Sequence, residues 1–402
     1  MRKEVAVIGA GMIHFGELFD KSVDNMIEEA YINCLNSVDK GIEPKEIEAA
    51  WLGSAYERSG ASLAVPTGLF RIPISRNENG CATGSDAFRN ACYAVKAGIY
   101  KVVLVCGVEK MRDTAGGLIA KAAAKSGIEM WRYRARTMPA FFGLRGTRHF
   151  HEFGSNREHL AMISVKNHHN GSLYPYAHYK FETTVDQVLN APIVSWPLGL
   201  YDCCPITDGA CCVLIAHADV AKKYTDTPVW WQGAGCGVDS WMRGLDENLI
   251  GFPATAIAAR EAYKMAGITP KDIQVAEVHD CFTVTEMLDY EDLGFCKKGE
   301  GHKMIEEGVV NLDGSLPVNP SGGLIAKGHP IGASGVAQIA EIYEQLRGTA
   351  GKVQVPDVEI GLQHNIGLGR GATGSASVVN LSLIHISEPT RPLYISYAVF
   401  CL

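Results

Sequence analysis

The sequence has no surplus of positive charge. Its 402 residues carry 37 Lys and Arg against 44 Asp and Glu, a net charge of −7. A nucleic-acid binder needs a basic footprint, so no nucleic-acid partner is expected. No uncharged apolar run reaches the length of about 18 residues that a spanning helix requires, so no membrane partner is expected either. The opening Met1-Arg2-Lys3-Glu4 runs directly into the strand-like Val5–Ile8. A secretory leader would need an apolar region of about 7–15 residues and a cleavage site there. Zinc spacing is missing too: Cys203-Cys204 and Cys211-Cys212 are adjacent pairs, with no C-x2-C, so they read as buried thiols and no metal is expected. Gly9-Ala10-Gly11 follows a strand but gives G-x-G-x4-G, which is not the dinucleotide fingerprint.

Cysteine itself is plentiful, with 12 residues. Without a leader, these point to a reducing, cytoplasmic compartment in which thiols are buried or catalytic. A composition of 47% hydrophobic and 20% charged residues is that of a globular protein, long enough for two domains.

Short β-branched runs alternate with helical periodicity. Val5–Ile8, Ala49–Leu52, Val102–Val105, Val213–Ala216, Val229–Gln232, Val275–Val278 and Glu359–Leu362 predict strands. Ser22–Val38, Gly84–Ala97, Asn156–Asn170, Ala254–Ala266, Thr283–Leu293 and Ser334–Leu346 predict helices. Such alternation is the pattern of an α/β protein. An internal repeat overlies it. The segment Gly41-Ile42-Glu43-Pro44-Lys45-Glu46-Ile47 matches Gly267-Ile268-Thr269-Pro270-Lys271-Asp272-Ile273, and Val5–Gly11 runs parallel to Val229–Gly235. The chain is therefore read as two similar halves, 1–222 and 226–382. An irregular, polar and aromatic insertion occupies about 112–200 of the first half. Its basic aromatic run Trp131–Arg136 reads equally as the lining of an acyl tunnel or as a solvated loop, and His149, His151, His168 and His169 read as surface or loop residues. Residues 383–402 match no position in the repeat and read as an extra or non-native tail.

Four segments carry chemistry. Cys81 stands in Asn79-Gly80-Cys81-Ala82-Thr83-Gly84, just before a helix, where the macrodipole should favour thiolate. His329 stands in the equivalent place of the second half. Its segment, Asn319 to Gly335, has five glycines, which make sense where backbone approaches a ligand. A Cys–His pair is the arrangement that activates a thiol. His279 and Cys281 share one face at the end of a repeat strand, in His279-Asp280-Cys281-Phe282. His364 and Asn365 open His364-Asn365-Ile366-Gly367-Leu368-Gly369-Arg370-Gly371, whose amides can serve an oxyanion hole.

In combination these motifs resemble the thiolase superfamily over about 380 residues, in particular its sterol-carrier-protein and archaeal acetyl-CoA acetyltransferase-like branch. The resemblance implies a duplicated, five-layer αβαβα thiolase fold in a homodimer or tetramer. It implies coenzyme A as co-substrate with no bound cofactor. Cys81 would be the acylated nucleophile and His329 its base. His279 would help hold the thioester oxygen, and Gly367 would give its N–H, with that of Cys81, to a second oxyanion hole. Asn365 replaces the cysteine most thiolases carry there, so Cys281 becomes the acid–base thiol, with His364 as rival. Archaeal relatives imply a small zinc-ribbon/OB-fold partner protein.

The reaction expected is thiolytic cleavage of a 3-oxoacyl-CoA, or the reverse Claisen condensation, through acyl-Cys81. The alternatives are a thiolase specialised for an aryl-succinyl-type 3-oxoacyl-CoA, a one-step acyl-CoA synthase of the same fold, and a non-catalytic scaffold subunit.

Overall fold

The computed structural model describes residues 3–113, 137–239, 250–368 and 375–384. Trp131–Arg136, Gly369–Gly371 and the tail from residue 385 lie outside the described residues.

The chain begins with β1 (Val5–Met12), α1 (Val23–Asn36), β2 (Ala49–Gly53), α2 (Ala64–Thr67), β3 (Ile74–Asn77), α3 (Thr83–Lys96) and β4 (Val102–Glu109). Then come α4 (Met138–Phe153), α5 (Arg157–Leu173), α6 (Val185–Asn190), β5 (Ile193–Ser195), β6 (Leu198–Gly199), β7 (Gly209–His217) and α7 (Ala218–Tyr224). The remainder is β8 (Val229–Asp239), α8 (Pro253–Ala266), β9 (Val275–Glu277), α9 (Thr283–Asp292), α10 (Gly301–Glu306), α11 (Gly323–Lys327), α12 (Ile331–Arg347), β10 (Ile360–Leu368) and β11 (Ser375–Leu383).

Strand order in the main sheet is β3-β2-β4-β7-β1-β8-β11-β10-β9. The order and sense of pairing mirror about the centre, where β1 meets β8 antiparallel over Val5–Val7 and Val229–Trp231. Outward from there, β7 and β11 pair antiparallel with β1 and β8, and β4 and β10 pair antiparallel with β7 and β11. Next come β2 and β9, each parallel to its neighbour. The matched segments Gly41–Ile47 and Gly267–Ile273 enter β2 and β9 through equivalent short turns, Pro44–Glu46 and Pro270–Asp272. The duplicated architecture is thus visible in hydrogen bonding as well as in sequence.

Five layers result. Helix α1 covers the outer face of the β4-β7-β1 half, α3 and α12 lie side by side in the middle, and α8 covers β8 and β11 on the far side. The strand β4 is buried on both faces. Val103 and Val105 pack in the middle layer's core with Phe88 of α3 and Val336 of α12, while Leu104 and Cys106 pack with Met26 and Tyr31 of α1. That two-sided burial explains an apolar run without alternation. Helix α1 starts where Ser22 and Asn25 form a reciprocal capping box, and it buries the stripe Met26, Ile27, Ala30, Tyr31 and Cys34.

Close packing of the central helices depends on glycine. A Cβ at Gly84 or Gly107 would come within 2.7 or 2.4 Å of the Gly332 carbonyl oxygen, and one at Gly335 would meet Ser85 Oγ at 2.3 Å. These contacts bring the two helix N-termini, and the residues just before them, together.

Residues 137–200 depart from the irregularity expected of that region. Besides the expected helix, here α5, they contain α4, whose Phe141 and Phe142 are buried against Phe252 and Phe282. His149 and His168 are buried rather than superficial. His149 bonds Ser155 Oγ at 2.6 Å and Glu291 Oε1 at 2.9 Å, a partnership between distant segments with no local periodicity to announce it.

Candidate active site

Cys81 follows a tight turn that leads from β3 into α3. Gly80 takes φ +56°, and the turn closes through Ala82 N–H to Asn79 O (3.1 Å) and Asn79 N–H to Thr83 Oγ1 (2.9 Å). The side chain of Asn79 donates to Asp86 Oδ2 at 2.8 Å, tying the turn to the helix it precedes. Gly367 of β10 lies against this turn, and a Cβ there would stand 1.7 Å from Asn79 O. Only glycine allows the β10 backbone so near the thiol.

His329 occupies the matching place, two residues before α12 as Cys81 is two before α3. The loop carrying it is fastened to the end of β9. Asp280 accepts from Leu324 N (2.6 Å) and Ile325 N (3.3 Å), while Glu277 accepts from Ser321 Oγ (2.8 Å) and Lys327 Nζ (3.0 Å). His279 and Cys281 flank Asp280, so both histidines and the Cys281 thiol hang on one buried polar scaffold.

The structure brings Cys81, His279 and His329 into one cluster. The Cys81 sulfur and one ring nitrogen from each histidine lie within 4.8 Å of one another. The two imidazoles meet edge-on, with centroids 5.4 Å apart at 76°. These three atoms are also spaced as metal ligands are. The ring of His329 is oriented by Ser334: its Nδ1 lies 2.7 Å from Ser334 Oγ, and that hydroxyl donates to Pro330 O at 2.9 Å. With its own proton committed to Pro330, Ser334 accepts from His329 Nδ1–H. The basic nitrogen is then Nε2, which is buried and without a hydrogen-bond partner.

Burial sets the charge state of the cluster. It lowers His329 to about 3, and it lowers His279 well below the ordinary imidazole value, with His329 and His364 adding to the effect. It also raises the Cys81 thiol to about 12, helped by the nearby Glu109 carboxylate. Desolvation thus works against the helix-driven thiolate expected from sequence. A neutral thiol faces a neutral base.

Cys281 is buried beside this cluster. Its sulfur lies 3.8 Å from Thr285 Oγ1, and its thiol is pushed well above the usual range by burial, then by the neighbouring Cys204 and Cys81 thiols. The backbone of Cys204 donates to Cys281 O at 3.1 Å, which brings a third thiol to this side of the fold. Asn365 contacts His279 directly, Nδ2 to Nδ1 at 3.3 Å. His364 points the other way along β10. Its Nε2 lies 2.9 Å from Ser377 Oγ and 3.1 Å from Thr255 Oγ1 of α8. Adjacent strand residues face opposite sides, so Asn365 reaches the cluster and His364 does not.

Sequence reasoning missed Ser334, visible only as a polar residue one helical turn beyond His329, and Glu109 at the end of β4. Glu109 accepts from Ser54 Oγ (2.8 Å), Ala55 N (2.9 Å), Tyr56 N (3.0 Å) and Gly332 N (3.0 Å). It joins the end of β2 to the start of the helix that follows His329, and burial raises its carboxyl to about 7.

Residues 5–219 match the family of the thiolase N-terminal domain, and residues 235–381 match the thiolase C-terminal domain-like family. The chain is 43% identical over 383 residues to an acetyl-CoA acetyltransferase of Methanothermobacter thermautotrophicus, covering 94% of this chain and 99% of that protein. It is 34% identical over 413 residues to sterol carrier protein 2 of Bos taurus, covering 97% of this chain and 74% of that one. A solved structure of the Ltp2-ChsH2(DUF35) aldolase superposes with a TM-score of 0.82 at 25% identity, over 94% of this chain and 97% of its counterpart.

Proposed function

The chain belongs to the thiolase family, and from that premise we propose that it is a coenzyme A-dependent acyltransferase of the acetyl-CoA C-acyltransferase type. It cleaves a 3-oxoacyl-CoA with coenzyme A, or runs the reverse Claisen condensation, through acyl-Cys81. The observation that carries this reading is the free Nε2 of a neutral His329 in one cluster with the Cys81 sulfur.

The Cys81 proton passes to His329 Nε2 as the sulfur attacks the 3-oxo carbonyl carbon. The amides of Cys81 and Gly367 receive the oxyanion. Collapse breaks the carbon–carbon bond, leaving the acyl group on Cys81 and an enolate whose oxygen is held by His279 and His329. Cys281 protonates the departing carbanion. Coenzyme A gives its thiol proton to the Cys281 thiolate and takes the acyl group, and Cys81 regains its proton from His329. Each oriented oxyanion donor is worth about 2.7–4 kcal/mol. The chemistry needs only these side chains and the co-substrate.

We also place the enzyme in the cytoplasm as a homodimer or tetramer beside a small zinc-ribbon/OB-fold protein. All eleven described cysteines are free thiols, in keeping with a reducing compartment. No described helix is long and apolar enough to cross a membrane. The two-component name of the Ltp2-ChsH2(DUF35) aldolase, which shares this fold, supports the search for a partner chain.

The test is mass spectrometry of the intact protein after mixing with a panel of 3-oxoacyl-CoA esters. An acyl adduct on Cys81 that disappears on adding coenzyme A is expected, and Cys81→Ala should carry none. An adduct on another residue, or turnover by Cys81→Ala, would overturn the proposal.

A further inference from the structure

A chain of buried hydrogen bonds runs to His279 from β8 across β11 and β10, by way of α3. Trp231 Nε1 donates to Asn380 Oδ1 (3.3 Å), and Asn380 Nδ2 donates to Gln363 Oε1 (2.9 Å). Gln363 Nε2 donates to Ser85 Oγ (2.7 Å), and Ser85 donates to Asn365 Oδ1 (2.7 Å). Asn365 Nδ2 then meets His279 Nδ1 at 3.3 Å. Every one of these residues is at most 2% exposed, and each is bonded directly to the next, so reversal at one link must reverse the next.

The direction of amide side chains is ordinarily a matter of assignment, but here two groups fix it. An indole N–H can only donate, so Asn380 must turn its oxygen to Trp231 and its nitrogen to Gln363. A backbone carbonyl can only accept, and Gln338 Nε2 donates to Val278 O at 2.9 Å. Gln338 Oε1 therefore faces Gln363 Nε2, 3.0 Å away. Both anchors demand the same orientation of Gln363. Ser85, receiving from Gln363, spends its proton on Asn365, and Asn365 has only its N–H groups left for His279.

We propose that Trp231, Asn380, Gln363, Ser85 and Asn365 are positioning residues that form a one-way relay, holding His279 as the tautomer protonated on Nε2. The relay makes His279 a fixed donor to the thioester oxygen, in the role the proposed function gives it and on which this inference rests. Desolvation keeps the ring neutral, so exactly one nitrogen carries a proton and the relay selects which. The relay also gives a purpose to asparagine at position 365: the amide can accept from Ser85 and donate to His279 at once.

The decisive measurement is made on the wild-type protein. Protein labelled with 15N-histidine is examined by long-range 1H–15N correlation at neutral pH, with His279→Gln identifying the signal. The expected result is a bare Nδ1 and a protonated Nε2; a proton on Nδ1, or an imidazolium, overturns the relay. Asn365→Asp supplies the complementary arm, because a carboxylate only accepts and draws the proton to Nδ1. In that variant the tautomer should reverse and α-proton exchange of acetyl-CoA should fall about 10²–10³-fold, the effect of losing one oxyanion donor. Formation of acyl-Cys81 from acetyl-CoA, a step that produces no enolate and that the second oxyanion hole carries, should stay within about threefold. An unchanged tautomer in Asn365→Asp, or a reversed one with full exchange, overturns the proposal. Absence of acyl-Cys81 in the wild type counts against the functional reading alone. A proton on Nδ1 in an enzyme that does acylate counts against the relay alone.

Discussion

His329 donates its Nδ1–H to Ser334 Oγ at 2.7 Å, and that single bond leaves Nε2 as the basic nitrogen. Ser334 cannot return the favour, since its own proton is held by Pro330 O. Ser334→Ala should slow formation of acyl-Cys81 by about 10–100-fold, the usual range for losing the partner that orients a functional histidine. Ser334→Thr keeps the hydroxyl and should recover most of the rate. Rapid-quench measurement of acylation separates the two, and equal rates for wild type and Ser334→Ala would remove Ser334 from the mechanism.

The charge state of Cys81 makes a pH prediction with a definite sign. Burial and Glu109 raise the thiol to about 12, and burial lowers His329 to about 3. A raised thiol value means less thiolate at any given pH, and a lowered imidazole value means no imidazolium to trap one. Alkylation of Cys81 by iodoacetamide should therefore keep rising from pH 6 through pH 10 without the plateau of a stabilised thiolate (a free thiol would level off above about 8.5). A plateau beginning below pH 8 would show that the cluster rests as an ion pair.

Gly367 has no room for a methyl group, since a Cβ would stand 1.7 Å from Asn79 O. Gly367→Ala must push the turn bearing Cys81 or the β10 backbone aside, at a cost of about 1–3 kcal/mol of stability. The movement also disturbs the amides proposed for one oxyanion hole, so acylation should fall by about 10² or more. Denaturant unfolding and rapid quench measure the two effects separately. Wild-type acylation in a folded Gly367→Ala protein would show that this amide takes no part.

Much of the fold and of the site is legible in the sequence. The match of Gly41–Ile47 with Gly267–Ile273 announced the duplication, because a turn that ends one helix and begins a buried strand leaves a local signature of proline, glycine and apolar residues. The glycine-flanked Cys81 and His329 were legible for the same reason, and the structure sets them in equivalent places. The charge state of Cys81 was not, because helix position is local while burial and the reach of Glu109 are properties of the assembled layers. The relay was equally hidden. Trp231, Ser85, Gln363 and Asn380 are far apart in sequence, and a polar residue on a buried strand carries no periodic signal of its own. The helix α4 was missed because its buried face touches residues more than a hundred positions away.

The last prediction separates Cys281 from His364 as the proposed acid–base group. Cys281 sits close enough to Cys81 for that neighbour to raise its proton affinity, whereas His364 spends its Nε2 between Thr255 and Ser377 on the other face of β10. Burial lowers His364 to about 3, so a proton held there at neutral pH would be costly as well as misplaced. Cys281→Ala should form acyl-Cys81 from an acyl-CoA yet fail in condensation and in α-proton exchange, since nothing remains to move the proton at carbon. His364→Ala should leave exchange within a few-fold of wild type and instead lose about 1–3 kcal/mol of stability, because Thr255 and Ser377 are left short of a buried partner. Exchange is followed by deuterium uptake into acetyl-CoA, and stability by denaturant unfolding. Exchange that survives in Cys281→Ala and vanishes in a stably folded His364→Ala would move the role to the histidine, and would require β10 to turn its other face to the substrate.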